Sequence, residues 1–118
     1  MGQEEFLQWK KTYRKLHGGS GYDLACAQAN GAISYELSHE QPEIKEVQLP
    51  EVLKESVFVY RGAKQNTDSS LKLVGSKPFS SEQCKEITRL SDAFLLAKSI
   101  EDLESIIEKH ELLIANHL

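Results

Sequence analysis

The sequence is short of several things, and each shortage excludes a class of protein. It has two cysteines in 118 residues, Cys26 and Cys84, which are too few for a disulfide scaffold and lack C-x-x-C spacing. Two reduced, half-buried thiols in a cytoplasmic protein are expected instead. Positive charge is also scarce. The net charge is −4 and no basic run is longer than Lys10-Lys11, so no basic stripe for nucleic acid is visible. No apolar run approaches the ~20 residues of a membrane-spanning helix. The opening Met1-Gly2-Gln3-Glu4-Glu5 is acidic and without an apolar core, which does not read as a secretory signal. Phe6 stands where a myristoylation motif needs a hydroxyl.

Catalytic signatures are missing as well. There is no G-x-x-x-x-G-K-[ST], no G-x-G-x-x-G, no nucleophile elbow and no H-E-x-x-H. His17, His39, His110 and His117 are scattered along the chain and away from the cysteines, so no metal site is expected. His110, on or beside the apolar face of the last helix, reads as a partly buried packing residue.

What is present describes one folded domain. A hydrophobic share of 40% with 27% charge is ordinary for a globular chain. Phe6, Trp9, Tyr13 and Leu16 recur at three and four residues, which predicts a helix over 4–16 with an aromatic stripe. Gly18, Gly19 and Gly21 then form a loop. Ser20 and Asp23 suit the start of a second helix as a variant capping box, and Asn30-Gly31 suits its end. Ile33, Tyr35 and Leu37 alternate with polar residues as in a half-buried strand. A turn is expected over 38–42, and a second strand over 43–49 ending at Pro50. The continuous apolar run Val57-Phe58-Val59-Tyr60 predicts a third strand, buried on both faces. Three helices follow. The first is capped by Asn66 or Thr67 and ends at Gly75. The second starts at Ser80, with Gln83 three residues on and Phe79 as a staple. The third is capped by Ser99. The fold class expected is α+β, an antiparallel sheet of about three strands packed with helices.

Two segments could carry chemistry. In Gly18–Asp23 a glycine-rich loop feeds a helix N-terminus, a generic place for an anion, and Asp23 could take a proton from a hydroxyl bound nearby. The same residues could serve only as a cap and a tight turn. Lys64 follows the third expected strand and could face an anion, or could be a solvated loop lysine.

These residues also resemble a known family. Ser20-Gly21-Tyr22-Asp23-Leu24-Ala25, followed by Gly31-Ala32-Ile33-Ser34-Tyr35, is similar to the S-G-x-D-x-A … G-[GA]-[AI]-x-[YF] segment of mevalonate kinases, members of the GHMP group of small-molecule kinases. Val57 to Thr67 resembles the family's strand-loop-helix with a lysine in the loop. Leu103 to Leu113 resembles its L-x-x-L-I-x-x-N-x-x-L-L helix, with His110 where Asn is usual. The wording Gly21-Tyr22-Asp23-Leu24-Ala25-Cys26-Ala27-Gln28 looks closest to a bacterial branch of mevalonate kinase-like proteins. The order and spacing of the three pieces cover about residues 5–118, the middle and start of the family's C-terminal half.

The resemblance implies an ATP-dependent kinase acting on an alcohol such as mevalonate in the full-length protein, with ATP and Mg²⁺ as its cofactors. Asp23 would take or orient the substrate hydroxyl proton. Gly19, Ser20 and Gly21 would shape the substrate pocket, and Lys64 would lie near substrate or at a domain boundary. The family's P-x-G-L-G-S-S-A loop, its later glycine-rich motif and the lysine that often pairs with the Asp have no counterpart in this sequence. This chain alone is therefore expected to hold no cofactor and to be inactive. It would be a piece of a longer kinase, one half of a split protein, or a module kept for binding. Its apolar stripes also suit self-association, as a dimer.

Overall fold

The computed structural model describes residues 2–17, 19–38, 41–64 and 67–118. Its order is α1 (Gln3–His17), α2 (Tyr22–Gln28), β1 (Ile33–Ser38), β2 (Gln41–Glu46), a 3₁₀ turn (Glu51–Glu55), α3 (Thr67–Ser76), α4 (Ser81–Leu95) and α5 (Ile100–His117). The protein is α+β, with helices and an antiparallel sheet. It divides into two compact units, residues 1–48 and 49–118.

In the first unit, α1 begins with Glu4 and Glu5, whose charge suits the positive end of the helix dipole. The expected aromatic stripe forms and packs along its own helix. Phe6 and Trp9 have ring centroids 6.1 Å apart, and Trp9 and Tyr13 5.4 Å. Trp9 nevertheless remains exposed. The core of this unit is Leu24 and Ala25, both on α2.

The hairpin pairs β1 with β2 in the register Ile33↔Glu46, Tyr35↔Ile44 and Leu37↔Pro42. Tyr35 opposite Ile44 is an aromatic–aliphatic pair of the kind that stabilises a ladder. Glu36 opposite Glu43 is repulsive, and Lys45 relieves it by reaching Glu43 at 3.1 Å. β2 starts at Gln41, so Gln41 and Pro42 belong to the strand and not to the expected turn. A proline is tolerated there because both strands of a two-stranded sheet are edges. The strand ends at Glu46, and only the Val47 N–H continues the pairing, to the Ala32 carbonyl at 3.1 Å. His39, Glu40 and Asn66 lie outside the described residues.

In the second unit, α4 and α5 pack against each other and α5 also meets the 3₁₀ turn. The core is Leu90 of α4, Leu103 of α5 and Ala97 between them, at 2%, 5% and 8% exposure. Both helix starts follow from the sequence. Ser80 Oγ accepts from the Gln83 N–H at 3.1 Å while the Ser80 N–H donates to Gln83 Oε1 at 2.8 Å, a complete capping box. Ser99 Oγ accepts from the Asp102 N–H at 3.1 Å. α3 runs one residue past Gly75, to Ser76.

Two expectations are corrected. The run Val57-Phe58-Val59-Tyr60 is neither a strand nor buried; it lies open to solvent between the 3₁₀ turn and Gly62. Apolar sequence marks a segment that gains from burial, but a central strand also needs neighbours on both edges. Among the described residues this segment has none. Cys26 and Cys84 are free, as expected, but exposed and not half-buried.

Candidate functional site

The Gly19–Asp23 loop is shaped by backbone before any side chain acts. Gly19 and Gly21 have φ of +79° and +81°, a region that side chains with a Cβ adopt at a cost. A Cβ added at Gly19 would meet nothing within 4 Å, so the requirement there is conformational and not spatial. Gly21, and not Ser20, is the N-cap of α2, and it makes no side-chain capping bond. The expected capping box therefore does not form. Ser20 Oγ instead accepts from the Tyr22 N–H at 3.2 Å. Asp23 Oδ1 accepts from the Leu24 N–H at 3.0 Å. Asp23 is exposed, and its second carboxylate oxygen has no hydrogen bond among the described residues.

The loop is pinned from the sheet. Tyr35 on β1 donates its hydroxyl to the Ser20 carbonyl at 2.6 Å. The Tyr35 and Tyr22 rings meet edge to face with centroids 5.6 Å apart. Tyr22 in turn has its phenol pKa raised, first by a hydrogen bond with Cys26, then by burial and by the Cys26 charge. Sequence inspection placed Tyr35 on a strand but did not connect it with the loop. The separation of fifteen positions between Ser20 and Tyr35 hides a contact that local pattern does not show.

These bonds bear on ligand chemistry. Two N–H groups in the first turn of α2 are occupied by Ser20 and Asp23, so the loop spends part of its own anion-binding capacity. What stays available is the Asp23 carboxylate, held at the helix start with one oxygen fixed. Lys64 belongs to the second unit and is exposed beside Gly62, whose φ is +79°. Gly19, Ser20, Gly21 and Asp23 are thus brought together, and Lys64 lies in the other unit. No group of three or more His, Cys, Asp or Glu side chains suited to a metal ion occurs among the described residues.

A second feature is an open cleft of about 280 Å³ between α4 and α5, lined by Leu90, Phe94, Ile106, Ile107 and His110. His110 is half-buried there, as its place on the apolar face predicts, and its Nδ1 lies 3.3 Å from Glu111 Oε1. No helix among the described residues is long and apolar enough to cross a membrane.

No protein-family model matches the sequence, no curated protein matches it, and no solved structure matches it. By fold the chain is an α+β protein.

Proposed function

We propose that this chain is part of a GHMP-type small-molecule kinase of the bacterial cytoplasm, in which the full-length protein phosphorylates an alcohol such as mevalonate. The observation that carries the reading is the exposed Asp23 carboxylate. It stands at the start of α2, behind a loop with two left-handed glycines, and a strand follows as the resemblance implies. Asp23 Oδ1 accepts from the Leu24 N–H, and the other oxygen, which has no hydrogen bond among the described residues, would meet a substrate hydroxyl. That oxygen would accept the hydroxyl proton, or orient the hydroxyl for attack. Gly19, Ser20 and Gly21 would form the wall beside it, steadied by Tyr35.

ATP supplies the phosphoryl group in such enzymes, and Mg²⁺ offsets its charge. The loop residues do not fit the nucleotide. Ser20 and Asp23 occupy N–H groups that a phosphate would need, and no P-x-G-L-G-S-S-A segment occurs in the sequence. Binding of ATP is therefore assigned to other parts of the full-length protein. This chain alone would transfer no phosphate.

The test is Asp23→Asn in the full-length protein. Phosphorylation of the alcohol should fall by at least about 100-fold, the scale of a lost general base, with the melting temperature unchanged. Full activity in that variant would overturn the role of Asp23. A coding frame with no nucleotide loop on either side, and no partner gene carrying one, would overturn the kinase reading as a whole.

A second reading, a self-association module derived from the same fold, is favoured by one observation: four consecutive apolar side chains, Val57 to Tyr60, face solvent.

A further inference from the structure

Val57, Phe58, Val59 and Tyr60 are 83%, 108%, 78% and 87% exposed. They make no hydrogen bond among the described residues. Their backbone donors and acceptors are open, and their side chains are the β-branched and aromatic types that suit a strand. The segment is bounded. The 3₁₀ turn ends at Glu55, Ser56 is already extended with φ −79° and ψ 152°, and Gly62 turns the chain with φ +79°. An unpaired apolar edge of this kind is a template for another strand.

We propose that Ser56–Tyr60 pairs antiparallel with the same segment of a second copy of this chain, about a two-fold axis at Phe58, with Glu55 and Arg61 flanking the paired residues. The flanking charges choose both the direction and the register. A parallel, in-register pair would set Glu55 against Glu55 and Arg61 against Arg61, and like charges directly opposite are destabilising. An antiparallel pair with Phe58 opposite Phe58 sets Val57 against Val59, Ser56 against Tyr60 and Glu55 against Arg61. The two-fold axis repeats each of these pairs. Slipping the register by one residue towards the 3₁₀ turn would instead bring Lys54 against Arg61. Glu55 and Arg61 are both exposed and neither has an ion pair among the described residues, so both are free for this contact. The inference gives the self-association reading a definite surface and rests on it; it does not depend on the role of Asp23.

The experiment is sedimentation equilibrium of the 118-residue chain under reducing conditions, so that exposed Cys26 and Cys84 cannot cross-link copies. The chain should be dimeric at about 100 µM, within the range of weak specific association. Phe58→Lys should make it monomeric. Because Phe58 is fully exposed, that change does not threaten the fold. Glu55→Arg and Arg61→Glu should each weaken the dimer about tenfold, since two charge pairs are reversed at once, and the double reversal should restore it. A monomer at that concentration overturns the proposal together with the self-association reading. A dimer that survives Phe58→Lys keeps that reading and overturns this surface. A dimer lost in Phe58→Lys but not restored by the double reversal overturns the register.

Discussion

Ser80 shows how much one hydroxyl can decide. With Gln83 it forms a reciprocal pair of bonds at 3.1 and 2.8 Å, and α4 begins where that pair closes. Replacing Ser80 with Ala removes the acceptor for the Gln83 N–H and is expected to cost about 1 kcal/mol, the usual worth of such a cap. Urea unfolding followed by helical circular dichroism would read this as a lower midpoint at unchanged slope. A midpoint equal to that of the parent chain would mean that the cap is dispensable. The same residue logic was legible beforehand at Ser80 and Ser99, because a cap bonds backbone three residues away and needs nothing distant. It misled at Ser20. There the glycine on its C-terminal side, with φ of +81°, takes the capping position, and Ser20 bonds the Tyr22 N–H instead. Backbone freedom at Gly21 won over side-chain propensity at Ser20.

At the scale of elements, the end of α5 is fastened to the turn between α3 and α4 by His117. Its ring stacks on Phe79 with centroids 4.2 Å apart. Nε2 lies 2.6 Å from the Lys77 carbonyl, which can only accept, so Nε2 carries the proton. Gln83 Oε1 is committed to the Ser80 N–H, so the Gln83 amide donates to Nδ1, 3.2 Å away. Both contacts therefore require one neutral tautomer. The expected staple residue, Phe79, meets His117 in this arrangement, which no local pattern could reveal because the two are far apart in sequence. His117→Ala should lower stability by roughly 1–3 kcal/mol, from two hydrogen bonds and an aromatic contact. In the variant, amide hydrogen exchange should speed up in the last turn of α5 and near Lys77. Unchanged exchange at both ends would show that the fastening contributes little. β1 and β2 were read correctly in kind from local patterning, but β2 runs over Gln41–Glu46 and not 43–49, and the register that sets Tyr35 opposite Ile44 comes from the pairing and not from local pattern. Val57–Tyr60 was not read correctly, because whether an apolar run is buried depends on which strands stand beside it.

For the whole molecule, the small number of buried side chains sets the response to damage. In the second unit the described core is Leu90, Ala97 and Leu103, with Leu103 lying where α5 begins. A buried Leu→Ala change costs about 2–5 kcal/mol through lost transfer energy and the cavity left behind. Domains of ordinary size are stable by only about 5–15 kcal/mol, and small ones lie at the lower end. Leu103→Ala should therefore remove most of the stability of α4 and α5. Far-ultraviolet circular dichroism at 25 °C should show a marked loss of helix and a broad, early urea transition. Leu112→Ala is the matched comparison: it deletes the same atoms from a side chain that is 53% exposed on the same helix, and it should shift the midpoint little. Equal shifts for the two variants would mean that α5 is not held by the Leu90–Leu103 core. In that case the stability of the unit would have to come from the capping box and the His117 fastening, both of which lie at the opposite end of α5 from Leu103.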